Sequence, residues 1–366
     1  MTPPRSAFGA SPPGGRRQRP GKAGSAAAAW FGLMLAAVVP VAAVADGPAA
    51  LATPAPVTPK ALGAATLAVA RAGKRLVAVG ERGTVLWSDD GGAQWQQARV
   101  PVQAGLTSVR FVDERLGWAA GHLGVILKTE DGGQSWTRQL DGTQAAAALL
   151  AAAGSDERAQ RSAQRMVEEG PDKPFFDIEV IDALRAVAVG AYGLAFATRD
   201  GGAHWAPLPT QGANPRSLHL YGVRAVNGQW FIAGEQGLLM KSADAGASFT
   251  ALASPYKGSF FGLLAARSGT LVAYGLRGSA WRSADAGASW DKVDLGTAIT
   301  LQAGVEREGE LVLLGQTGEL FTSRDDGRSF ASVKAPAGPL PAAGLSLAPD
   351  GAWVIASLRG TRRATP

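Results

Sequence analysis

Cysteine is absent from all 366 residues. That excludes disulfides, iron–sulfur clusters, thiolate zinc sites, a cysteine nucleophile and a lipid-modified N-terminal cysteine. Histidine is scarce: His122, His204 and His219 are the only three, and no two are close in sequence. A histidine-rich metal centre is therefore not expected, and no metal or cofactor is assigned. Charged residues make up 18% of the chain against 46% hydrophobic, which excludes both a disordered chain and a long coiled coil. After residue 45 no apolar run reaches the ~20 residues needed to span a bilayer. Enzyme signatures are missing too. There is no G-x-S-x-G elbow, no H-E-x-x-H and no glycine-rich phosphate loop leading into a helix.

What the chain has in excess is glycine, 48 residues, or roughly 13% against a usual ~7%. This is a turn-rich globular composition. The net charge of +6 suggests a nucleic acid or a membrane until its location is traced. Arg5, Arg16, Arg17, Arg19 and Lys22 fall within residues 1–45, which contain no acid. Taking those five from 36 leaves 31 basic against 30 acidic residues. The remainder is nearly neutral, and nucleic acid is not expected as a partner.

The basic stretch is followed by an apolar run from Ala26 to Val39, then Pro40 and the small residues Ala43-Val44-Ala45. That is the layout of a secretory signal peptide over 1–45, cleaved before Asp46, and it predicts a periplasmic protein. An uncleaved membrane anchor is the alternative. The pair Arg16-Arg17 leaves Sec and twin-arginine export both open.

Self-alignment gives the main signal. Six segments share [ST]-x-D-x-G-x-x-[WF], with acids at Asp90, Asp131, Asp200, Asp244, Asp285 and Asp325. Their spacing is about forty residues, except for one longer interval that locates an insertion. In phase with them, five to eight residues upstream, runs a Gly-x-x-Gly turn: Gly80/Gly83, Gly121/Gly124, Gly190/Gly193, Gly234/Gly237, Gly275/Gly278 and Gly315/Gly318. Ser357-Leu358-Arg359-Gly360 is a degenerate seventh copy. Each unit reads as four short strands, the spacing of a propeller blade. In the Asp turn, hydroxyl and carboxylate can accept from the turn's own N–H groups, the glycine supplies a positive φ, and the aromatic wedges beside the blade. No copy carries the acidic series of a calcium loop, so these acids are expected to be structural. The repeat is identified as the Asp-box, or BNR repeat, of sialidases, some endoglucanases, sortilin-like receptors and photosystem II assembly factor propellers.

Six units occupy about 62–333, and a seventh begins near Leu345 and stops soon after Gly360. Residues 46–60 are expected to supply a strand that closes this last blade, since closure removes exposed edges. The expected fold is an all-β seven-bladed propeller over 46–366, with six blades and a loose tail as the alternative. The insertion, about 141–173, reads as helices over Ala145–Ala153 and Asp156–Glu169 between blades 2 and 3, with Ser155 as N-cap. It should share a face with the Gly-x-x-Gly turns and be dispensable for folding.

That face is the candidate binding surface. Arg82, His122, Tyr192, Glu235, Arg277 and Arg359 lie in its turns, and Tyr256, Phe260 and Phe261 cluster at the entry to an inner strand. Arginine and aromatic residues are the usual interface anchors; core phenylalanines and solvated arginines are the alternative reading. The stretches Phe175-Phe176-Asp177, Gly190-Ala191-Tyr192-Gly193, His219-Leu220-Tyr221, Gly234-Glu235-Gln236-Gly237, Tyr256–Gly262 and Gly275-Leu276-Arg277-Gly278 resemble a proteobacterial exported branch of the photosystem II stability and assembly factor family. The resemblance implies a non-catalytic scaffold that binds proteins of a membrane or periplasmic complex, an RND-type exporter foremost. The competing reading is a sialidase-like or other glycoside hydrolase, which needs paired carboxylates. Asp177, Glu179 and Glu235 form no identifiable pair in the sequence, and the early Phe/Tyr-Arg-Ile/Leu-Pro motif of sialidases is missing.

Overall fold

Apolar runs of four to seven residues, each bounded by glycine or an Asp turn, are too short for helices and fold as strands. The computed structural model describes residues 48–333 and 337–364; the expected signal peptide and its cleavage site lie outside them. Seven antiparallel meanders result, each ordered outward from its first strand. The first strands are Thr66–Ala72, Leu106–Phe111, Phe175–Val180, Leu220–Val226, Phe260–Ala265, Leu301–Arg307 and Ala342–Leu347. Each packs against the first strand of the next blade, and the seventh packs against the first. The protein is a closed seven-bladed propeller.

The core lies between blades. Second strands such as Glu310–Gly315 are buried from their second residue on, because both of their faces are covered by neighbouring sheets. Basic residues stitch blade to blade at the Asp-turn end. Arg199 donates to the Ala245 carbonyl at 2.8 Å, Arg282 to Asp326 at 2.7 Å and Arg75 to Asp131 and Gly132 at 3.3 Å. Arg363 makes the same bond to Gly91 at 2.9 Å, across the join between the last blade and the first. At the other end of that join, buried Thr66 donates to the Ser357 carbonyl at 3.4 Å and accepts from the Ser357 N–H at 3.1 Å.

Among the described residues the expected N-terminal closing strand is absent. Blade 7 has three strands, the third being Arg362–Ala364. The chain before blade 1 instead forms a short helix α1 (Ala49–Ala52) and a 3-10 turn (Pro59–Gly63). It lies on blades 1 and 2, where Leu51 and Ala55 are buried with Val100 and Val102 and the Ala55 N–H donates to Val100 at 3.0 Å. Pro48, Pro54, Pro56 and Pro59 explain this, since a residue without an N–H cannot donate to a ladder.

The insertion forms α2 (Gly142–Ala152) and α3 (Glu157–Glu169). Helix α2 starts earlier than expected because Asp141 and Gln144 make a capping box. The N-cap of α3 is Asp156 rather than Ser155, its carboxylate accepting from Arg158 and Ala159. Nor is the insertion a detachable loop. Ala145, Leu149 and Met166 pack into the cluster holding Phe175, Phe196 and Trp205, so it completes the core between blades 2 and 3.

Candidate functional site

The two kinds of turn sit at opposite ends of each meander, because Asp turns join third to fourth strands and Gly-x-x-Gly turns join second to third. At the Asp end the carboxylates are spent on their own turns. Asp131 accepts from the Thr129 hydroxyl at 2.8 Å, from the Gln134 and Ser135 N–H groups at 3.0 and 2.9 Å, and from the Ser135 hydroxyl at 2.6 Å. Asp90, Asp200, Asp244, Asp285 and Asp325 repeat the pattern. Hydrogen bonds from residue 204, 248, 289 or 329 hold the Asp200, Asp244, Asp285 and Asp325 carboxyls at about 2. Each of these six carboxylates thus bonds within its own turn.

At the other end, one backbone bond recurs in all seven blades. The residue after the first turn glycine, or after Ser357 in blade 7, donates to the carbonyl just ahead of the inner strand: Glu81 to Ala65, His122 to Gly105, Ala191 to Pro174, Glu235 to His219, Leu276 to Ser259, Gln316 to Thr300 and Leu358 to Pro341. This close approach explains the glycine. A Cβ on Gly190 would lie 2.2 Å from the Pro174 oxygen. The residue before the second glycine is left-handed in five turns, at Arg82, Leu123, Tyr192, Gln236 and Arg277, with φ between 53° and 58°. Large side chains resist that region, so the fold imposes it and holds these five residues at the tips of the turns.

Each inner strand also has a β-bulge just inside the same end. The skipped residues are Leu67, Thr107, Phe176, Tyr221, Phe261, Gln302 and Ala343, one per blade and all half-buried. Three are aromatic and adjacent. The Phe176 and Tyr221 rings lie 5.2 Å apart, and Tyr221 meets Phe261 edge-on at 5.4 Å. His219 joins them, 6.0 Å from Tyr221 and 4.8 Å from Tyr192, its Nδ1 accepting from the Tyr192 N–H at 2.9 Å. Burial, and then the Glu235 charge, raise the Tyr221 hydroxyl above its ordinary value.

The residues expected at this face therefore divide. Arg82, Arg277 and Arg359 are exposed with no side-chain partner among the described residues, and Tyr192 is 60% exposed. His122 is exposed beside Gly105. Glu235 is half-buried and braces the entry to blade 4, accepting from the His219 N–H at 3.2 Å. Tyr256 is half-buried against Phe260 and Trp281, its hydroxyl donating to Leu276 at 3.3 Å. Phe260 is a correction: it is fully buried, because the bulge turns Phe260 into the core and leaves Phe261 at the mouth. Sequence reasoning missed Leu123, Gln236, Phe176, Tyr221 and His219 as members of this face. Two consecutive large residues at a strand start, as in Phe175-Phe176, Leu220-Tyr221 and Phe260-Phe261, are the signal that could have found the bulges.

Asp177 and Glu179 sit deeper, among the inner strands of blades 2 to 4. Asp177 is buried, accepting from Ser108 at 2.9 Å, from Arg224 at 2.6 Å and from the Val223 N–H at 3.2 Å. Burial works to raise its carboxyl, but Arg224 and Arg110 outweigh it and hold it below the usual range. For Glu179 burial wins and its carboxyl is pushed up. Glu179 accepts from the Ala225 N–H at 3.2 Å, so both acids cap the unpaired inner edge of blade 4.

Asp-box blades stitched into a closed ring, with one face of displayed turn residues, define an Asp-box propeller with a candidate interaction face. A family model described as Photosynthesis system II assembly factor YCF48 matches residues 65–154 and 156–297, and the chain belongs to that family. The Photosystem II assembly lipoprotein Ycf48 of Synechococcus sp. (strain CC9902) is 25% identical over 194 residues, 49% of this chain and 55% of that protein. The chain thus spans about half the length of this curated relative. The solved structure of YCF48 bound to D1 peptide superposes with a TM-score of 0.62 at 17% identity, covering 83% of this chain and 94% of that one. YCF48 from Cyanidioschyzon merolae gives 0.59 at 15%, covering 86% and 98%. The WD40 propeller domain of Doa1 also gives 0.59, at 12% identity, so these superpositions establish the fold alone.

Proposed function

We propose that this chain is an exported, non-catalytic scaffold that binds protein partners on its Gly-x-x-Gly face and assists a membrane complex. The observation that carries this reading is the row of turn tips on one face. Arg82, Tyr192 and Arg277 are held there in a left-handed conformation, exposed, and the two guanidinium groups make no bond within the described residues. Arginine and tyrosine so displayed are typical hot-spot residues. The family is one of assembly factors, and a relative's structure holds a peptide. The lipoprotein relative and the signal layout of residues 1–45 both favour export. The partner to test first is an RND-type exporter, in the periplasm.

The test is cross-linked capture from the native envelope by the wild type, by Arg277→Glu and by Tyr192→Gly. The expected result is a specific membrane-complex partner that both variants lose while remaining folded. Undiminished capture by both would sink the assignment of this face. N-terminal sequencing of the mature protein should start at Asp46, whereas an intact Met1 in the membrane fraction would replace cleavage with an anchor.

A further inference from the structure

Sevenfold repetition gives every blade the same bulge, yet only blades 3, 4 and 5 place an aromatic residue there. The other four positions hold Leu67, Thr107, Gln302 and Ala343. The mouth is therefore lopsided, with an aromatic crescent on one half. Its rings are half-buried rather than sealed, and they meet tilted or edge-on. Polar groups beside them are largely engaged with one another. Glu235 accepts from the His219 N–H, Gln236 from Arg216 at 2.8 Å, and His219 Nδ1 from the Tyr192 N–H. The ring faces offer an apolar guest a surface to pack on.

The charge around the crescent is mostly basic. Arg216 and Lys257 lie in the connections entering blades 4 and 5, and Arg277 is at the tip of the blade 5 turn. Lys257 and Arg277 have no acidic partner among the described residues, and Arg216 bonds only the neutral Gln236. One carboxylate, Glu235, stands among them.

We propose that the Phe176–Tyr221–Phe261 crescent is an anchor subsite that takes one aromatic or long aliphatic side chain from an extended, acidic protein segment. The anchor packs on the rings while its acidic flanks reach Arg216, Lys257 and Arg277. Aromatic pockets ringed by charge concentrate binding energy in this way. This rests on the reading of the face as protein-binding and adds the chemistry of what it takes.

The test is selection of random displayed dodecapeptides on the purified protein, followed by titration of enriched peptides by fluorescence polarisation. Enriched peptides should carry a Trp, Phe, Tyr, Leu or Met flanked by Asp or Glu. Phe261→Ala and Arg277→Glu should each weaken them at least ten-fold, and Lys74→Glu, at the opposite end of blade 1, should not. Tyr192→Gly, on an exposed ring, should also weaken them and guards against a folding defect in Phe261→Ala. No enrichment, peptides without anchor or acids, indifference to both Phe261→Ala and Tyr192→Gly, or preferential binding of maltohexaose would each overturn the proposal. Peptides that depend on Arg82 but not on the crescent would overturn it too, while leaving the protein-binding face intact. Failure of envelope capture would instead remove that broader reading.

Discussion

Gly190→Ala should damage the fold far more than Gly315→Ala, although both replace the first glycine of the same turn. Neither needs a positive φ, so strain is not the difference. At Gly190 the new Cβ would lie 2.2 Å from the Pro174 oxygen and 2.8 Å from the Phe175 Cα, both backbone. Ordinary carbon–oxygen contact is about 3.3 Å, so the strands must part by roughly 1 Å. That movement breaks the 2.9 Å bond from Ala191 to Pro174. Overpacking costs ~1–3 kcal/mol, and the unpaired backbone group adds ~1–3 kcal/mol, for a total of about 2–6 kcal/mol. At Gly315 the nearest atom is Glu319 Oε2 at 3.0 Å, the end of a flexible side chain, and the cost should stay under about 1 kcal/mol. Urea unfolding followed by tryptophan fluorescence measures both. Equal losses would refute the close-approach explanation of the turn.

Thr66→Val should cost ~1–3 kcal/mol in the same assay, because it leaves the buried Ser357 N–H unpaired at the ring closure; a neutral result would show that the join is held elsewhere. Deleting 142–170 should lower stability by on the order of 3 kcal/mol or more and expose the cluster around Phe175 and Trp205 to a dye such as ANS; an unchanged midpoint would make the insertion peripheral after all. Asp200, Asp244, Asp285 and Asp325 are held at about 2 when folded, below the ~3.9 of an unfolded chain. A depressed folded value gives stability that is fully present above about pH 4 and is lost as pH falls towards 2. Thermal midpoints should fall across that window, and a midpoint insensitive to pH there would contradict the turn bonding. Sialosides and β-glucans should not be turned over; hydrolysis abolished by Asp177→Asn would restore the hydrolase reading.

Blade number and phase were legible because each Asp turn needs a hydroxyl, a carboxylate and a glycine at fixed spacing, and few other sequences supply all three. Strand positions follow from the turns: the sequence reads strands over Leu106–Val112 and Trp136–Leu140, and they form at Leu106–Phe111 and Thr137–Leu140. The ends were harder. Residues 46–60 looked like a spare strand because rings tend to close that way, but their prolines cannot donate to a ladder. The candidate face was legible as a face, since turn positions follow from the meander. Its inner half was not, because a bulge reverses which of two adjacent residues is buried. Phe260 and Phe261 carry the same side chain, and only the register decides that one is core and the other lines the mouth. Glu235 is likewise ambiguous in sequence, because only the fold sets its carboxylate on the His219 backbone N–H.

The most direct test of the binding face is photo-cross-linking in the native envelope, with the photoreactive residue placed in turn at Arg82, Arg277, Lys74 and Gln94. Arg82 and Arg277 lie on the Gly-x-x-Gly face, and Lys74 and Gln94 are exposed at the Asp-turn end. Adducts to one membrane-complex protein should form from Arg82 and Arg277 and not from the other two. Adducts from Lys74 and Gln94 alone would put the binding surface on the opposite face and contradict the function proposed for this one.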